Sequence, residues 1–128
     1  MAVAVITRFP GLTPKAYDDA IASLDLDANP PAGAVLHVAA ETQGGGFVVT
    51  EIWRTEQTFQ AFYDYRLIPA LRMHGMEGQP QVEVAPLHNL FAVEMDTVER
   101  MGAVSLPATY AGAALSERRT SLAEWSRG

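Results

Sequence analysis

The stretch FVVTEIWRTEQTFQAFYDYRLIPAL at residues 47–71 constrains the fold more than any other part of the chain. Residues 47–53 are mostly β-branched or aromatic and end on Trp53, which reads as a strand. Thr55 then offers a capping hydroxyl, and Glu56 suits the positive end of a helix. The helix is expected over residues 55–67, with Phe59, Phe62 and Tyr63 on one side. Pro69 disfavours helical geometry at Ile68, so a break or kink is expected there.

The rest of the chain arranges itself around this unit. Residues 2–7 are apolar on both parities, which predicts a strand with both faces buried. After Pro10-Gly11, the pair Thr13-Pro14 is a helix start: a capping hydroxyl followed by a proline at the first helical position. Ala16, Tyr17, Ala20, Ile21 and Leu24 then form one apolar stripe. Residues 29–33 (NPPAG) are loop. Strands at 34–40 and 47–53 are joined by Gly44-Gly45-Gly46, a hairpin suited to positive φ. Residues 73–80 are loop and 81–91 a fourth strand. The order β-α-β-β-α-β predicts an α+β, ferredoxin-like fold with a four-stranded antiparallel sheet over residues 1–91. Residues 92–128 form a C-terminal extension with a turn at 96–101 and a helix at 109–119. It is read as a helical arm on a neighbouring subunit, a lid, or a cover for a sheet edge.

Composition narrows the class. With 128 residues there is room for one domain with a core. A hydrophobic share of 48% against 19% charged residues excludes disorder. No apolar run approaches the roughly 18 residues of a membrane span. The N-terminus starts directly with a strand-like run and lacks a secretory pattern, and the chain has no cysteine; together these fit a cytoplasmic protein. A net charge of −6 argues against nucleic acid and anionic membranes as partners.

The element order, the VVTEIW strand closing on Trp53, the Thr55-Glu56 cap and Phe59 in the next helix resemble the antibiotic-biosynthesis-monooxygenase-like, dimeric α+β barrel superfamily. The resemblance covers residues 2–91. It implies two subunits paired sheet against sheet, each with a cavity between sheet and helices. It also implies activities such as cofactor-independent oxidation of anthrone-type polyketides, haem degradation, and lactone or ring isomerisation. The dimer has independent physical support. A four-stranded sheet with helices on one side leaves its other face bare, and both parities of strands one and three are largely apolar.

Candidate site residues follow from these placements. Trp53 matches the strand-end tryptophan that lines the cavity in the anthrone-oxidising relatives, where it could stack on an aromatic substrate. Glu51 and Val49 share its face by the period of two; Val49 stands where those relatives carry an asparagine. Phe62, Tyr63 and Arg66 fall on one helix side. An arginine amid aromatics needs a partner, either a substrate carboxylate or enolate or an internal acid such as Glu51, or it snorkels out near the helix end. His37 lies mid-strand and His88 lies in the fourth strand beside Asn89. Either could be a general base, since imidazole titrates near neutrality. Hairpin register decides which one points inward, and His37 has the better claim because its strand pairs with the one carrying Trp53.

Cofactors and metals are not expected. His74 falls near the iron ligand of haem-degrading relatives but two residues late. Thr7 and Phe62 replace the asparagine and tryptophan those relatives carry. No two histidines are three or four apart, and there is no phosphate-binding glycine loop or nucleophile elbow. The expected function is a small-molecule enzyme of secondary metabolism acting on an apolar aromatic or polyketide-like substrate. Its reaction would be base-assisted oxygenation, or a proton-transfer rearrangement such as cyclisation or isomerisation. The alternative is a non-catalytic ligand-binding or structural dimer.

Overall fold

A computed structural model describes residues 1–94 and Thr97. Its elements are β1 (Val3–Pro10), α1 (Pro14–Leu24), β2 (Ala34–Glu41), β3 (Gly46–Trp53), α2 (Glu56–Phe62), a π-helical turn (Tyr63–Leu67), α3 (Ile68–Met73) and β4 (Gln81–Pro86). All lie within the compact unit Met1–Asn89. The sheet runs β2-β3-β1-β4 with every neighbouring pair antiparallel. This is the ferredoxin-like α+β arrangement that the element order predicts. Apart from Thr97, the turn and helix expected after residue 95 lie outside the described residues.

Local chemistry explains where the helices start. The Thr13 hydroxyl accepts from the Ala16 N–H at 3.1 Å, and Thr55 accepts from Thr58 at the same distance. Each satisfies a backbone donor that the first turn leaves over. α1 buries Ala16, Ala20 and Ile21 and ends at Asp25, which takes a left-handed conformation with φ 50°.

The second helical segment departs from expectation. It does not stop near Leu67 but continues through the π turn to Met73. The Ile68 N–H reaches back five residues to the Tyr63 carbonyl. In a regular α-helix the Pro69 ring would meet the Tyr65 carbonyl and leave one hydrogen bond unmade. Widening the helix by one residue just before the proline accommodates it without ending the helix.

Two strands also need correction. β4 ends at Pro86, not Phe91: a proline cannot donate to a ladder, and the Leu87 N–H makes one further bond to Ala2 before the chain leaves the sheet. In β1 burial alternates. Val3, Val5, Thr7 and Phe9 are buried, whereas Ala4 and Ile6 are only partly covered. The expectation of two buried faces therefore fails for the outward parity within this chain.

The hairpin fixes the register. Gly45 and Gly46 both have positive φ (89° and 98°), and a Cβ on Gly46 would sit 2.4 Å from the Phe9 carbonyl oxygen. Beyond this turn Glu41 pairs with Phe47, Ala39 with Val49 and His37 with Glu51. The row Val84, Val5, Glu51, His37 thus crosses the sheet on its helix-facing side. The core lies between that face and the helices, centred on Trp53, Phe59, Leu71 and Val5. Trp53 packs edge-on to Phe59 at 5.9 Å and tilted against Phe62 at 5.5 Å.

Candidate functional site: a buried carboxylate, a histidine and a tyrosine

Glu51 occupies the middle of β3 and is 3% exposed. A carboxylate so far from water needs donors, and two neighbours supply them. The His37 ring places Nδ1 2.7 Å from Oε2, and the Trp53 indole N–H donates to Oε1 at 3.3 Å. An ionised carboxylate has only lone pairs to offer, so Nδ1 carries the shared proton. In the neutral imidazole, Nε2 is then an acceptor. The Tyr17 hydroxyl lies 2.8 Å from that nitrogen and in this tautomer donates to it. The result is an ordered chain from the α1 phenol through a β2 imidazole to a buried β3 carboxylate.

Each member owes its place to the fold. His37 and Glu51 are cross-strand partners, so their side chains leave the same sheet face side by side. Glu51 and Trp53 share that face two residues apart. Tyr17 sits one turn into α1 and stacks on Phe47 with ring centres 4.9 Å apart and planes 12° from parallel. Its ring also lies nearly parallel to the imidazole of His37, 6.2 Å away. Helix packing thus aims the hydroxyl at Nε2, while the histidine side chain keeps 39% of its surface exposed.

The candidates named from sequence divide into two groups. His37, Glu51 and Trp53 come together in the network, and Trp53, only 1% exposed, is also a packed core side chain. Phe62 is buried beneath Trp53, and Tyr63 is half-buried against Phe59 with ring centres 5.4 Å apart. Burial pushes the Tyr63 phenol above its ordinary pKa, and the charge of Asp64 adds to that. Arg66 goes elsewhere. Its guanidinium donates to the carbonyls of Leu24 (3.2 Å) and Asn29 (2.7 Å) and lies 5.4 Å above the Phe62 ring. Leu24 is the last residue of α1, so a cation there meets the negative end of that helix. Its partner is therefore this backbone and not Glu51.

His88 and Asn89, expected on the fourth strand, are exposed in the irregular segment beyond Pro86 and join no network among the described residues. His74 caps the end of α3. Tyr17 is the residue that the sequence reading passed over as part of an apolar stripe. The signal was its hydroxyl, which a tyrosine turned toward a sheet must pair with something.

A cleft of about 300 Å³ lies elsewhere on the unit, lined by Met1, Val3, Glu56, Gln57, Val84, Ala85 and Pro86. It sits at the β1–β4 side near the start of α2, and none of Tyr17, His37 or Glu51 lines it. Among the described residues no group of three or more His, Asp or Glu side chains could hold a metal ion. No described helix is long and apolar enough to cross a membrane.

No protein-family model and no curated protein matches this chain. Solved structures do. A protein of unknown function from Nitrosomonas europaea aligns at TM-score 0.56 with 20% identity, over 73% of this chain and 95% of its own. SnoaB of Streptomyces nogalater, a cofactor-independent oxygenase, aligns at 0.53 with 14% identity, over 70% of this chain and 95% of its own. A candidate antibiotic biosynthesis monooxygenase from Caulobacter crescentus aligns at 0.52 with 16% identity, over 69% and 91%. The chain shares the ferredoxin-like α+β fold of these structures. At these identities the likeness establishes the shared fold alone. Whatever chemistry this copy of the fold performs has to be read from its own side chains.

Proposed function

We propose that this protein is a small-molecule enzyme that works without a bound cofactor on an apolar aromatic or polyketide-like substrate. Its reaction is base-assisted oxygenation, or a proton-transfer rearrangement such as cyclisation or isomerisation. One observation carries the reading: a partly exposed imidazole whose Nδ1 is held by a buried carboxylate. Such a pairing fixes the tautomer and stabilises the imidazolium that forms when the other nitrogen takes a proton. Removing a proton from a phenol or an enolisable ketone leaves an electron-rich anion. In the oxygenase version that anion reacts with dioxygen directly; in the rearrangement version the proton returns at another atom. The occurrence of a cofactor-independent oxygenase on the same fold favours the first version.

The same reading has two copies joined through their outward sheet faces. That face carries Ala4 and Ile6 of β1, Val48 of β3, and Leu36 and Val38 of β2, with Val38 still 50% exposed. Apolar side chains gathered on one sheet face favour a covering partner.

Anthrone is the test substrate. Its methylene carbon would take up one dioxygen and release one water to give anthraquinone. Oxygen uptake with a product of anthraquinone mass supports oxygenation. A rearranged product of unchanged mass from an enolisable polyketide, formed without oxygen, supports the isomerase version. Saturable binding of both probes with no product from either would overturn the enzyme reading and leave a ligand-binding dimer.

A further inference from the structure

We infer that the cleft between β1, β4 and the start of α2 binds a small ligand that joins an apolar ring system to an ammonium group. The cleft shares no residue with Tyr17, His37 or Glu51, and binding there is independent of any turnover at those groups. Strand parity makes its floor. Val3 of β1 pairs with Pro86 of β4, and Val5 pairs with Val84. All four leave the sheet on the side that the helices cover. Val5 is fully enclosed there, whereas Val84 is only half-buried and Pro86 is exposed. β4 is an edge strand, and cover runs out over its inward side chains. What remains is a concave space of about 300 Å³, at the lower end of the range that small-molecule sites occupy.

The rim supplies the polar chemistry. Glu56 and Gln57, the first two residues of α2, line the cleft beside that apolar floor. Neither side chain has a hydrogen-bond or ionic partner among the described residues. A carboxylate only accepts, and the Gln57 amide adds a second accepting oxygen. Two acceptors, one of them charged, call for a cationic donor. An ammonium serves both and brings the carboxylate its counter-charge. Val3, Val84 and Pro86 offer only van der Waals contact, so the other end of the ligand is apolar. A carboxylate or phosphate in its place would be repelled by Glu56. A cleft of this size suits one or two fused rings.

Tryptamine, an indole that carries an ammonium, is the probe, and tryptophol is its uncharged counterpart. With ¹³C-labelled valine methyls in the full chain, tryptamine should shift Val3 and Val84 saturably. Val35, on the opposite edge strand β2, should stay in place. Tryptophol should bind roughly threefold or more weakly, the scale of an ion pair at a solvent-facing rim. In Glu56→Gln the two ligands should bind alike, because the substitution removes the charge that separates them. Glu56 is exposed, so this variant should keep the fold, which circular dichroism checks. Equal affinity of tryptamine and tryptophol for the wild type overturns the ammonium assignment without recourse to any variant. Val3 and Val84 unmoved at saturating tryptamine overturn the site. A preference for tryptamine that survives in Glu56→Gln overturns the role of Glu56 and the site with it.

Discussion

At the scale of single residues, the energetics turn on Glu51. A buried carboxylate is tolerated here because an imidazole and an indole N–H satisfy it. Glu51→Ala leaves those donors without their acceptor and should cost about 1–3 kcal/mol of stability in urea unfolding. Glu51→Gln keeps the side-chain shape and should unfold closer to wild type. It removes the negative charge that supports an imidazolium, so turnover should still fall by roughly tenfold or more. Equal losses of stability and activity in the two variants would show that Glu51 is only a packing residue. Tyr63 gives a pH-dependent counterpart. Its pKa is raised by burial above the ordinary 10.0, so the folded state holds the phenolic proton more tightly than the unfolded chain. The stability tied to that shift is fully present below pH 10 and is lost as pH climbs past it. Urea unfolding of Tyr63→Phe should show a shallower loss across that alkaline range than the wild type.

At the scale of elements, much of the fold was legible because short-range chemistry decides it. Thr13-Pro14 and Thr55-Glu56 set the helix starts where local hydroxyls cap them. Thr13→Ala should therefore cost about 1 kcal/mol in thermal or urea unfolding. The triple glycine gives the hairpin, and Gly46→Ala should be far more damaging. Its φ is 98° and the added Cβ would strike the Phe9 carbonyl, so poorly folded material is expected in circular dichroism. What the sequence could not supply was long-range. The face on which His37 falls depends on the register through residues 42–46 and on the irregularity between Ala34 and Leu36. The partner of Tyr17 depends on how α1 lies over the β2–β3 hairpin, which no pattern within α1 encodes. Pro69 looked like a break because a proline usually is one. The π turn before it is a tertiary accommodation, stabilised by Leu67 and Leu71 packing into the core. His88 was placed on β4 by the apolar run around it, whereas Pro86 had already closed the ladder.

At the scale of the whole molecule, helices cover one face of the sheet and leave apolar side chains on the other. Ile6 sits on that outward parity, while Val5 beside it is fully buried toward the helices. Ile6→Glu should thus convert a dimer into a monomer or an aggregate, and light scattering on the wild type should give twice 13.8 kDa. A monodisperse wild-type monomer would contradict the shared sheet face. The catalytic claim is separate, since the Tyr17–His37–Glu51 chain lies on the helix side of a single subunit. It is tested most directly by the anthrone turnover of wild type and His37→Ala, compared at equal concentration with both shown to be folded. The expected result is oxygen-consuming turnover by the wild type that falls roughly 10²–10⁴-fold in His37→Ala. An unchanged rate in the variant would contradict the assignment of His37 to the chemistry.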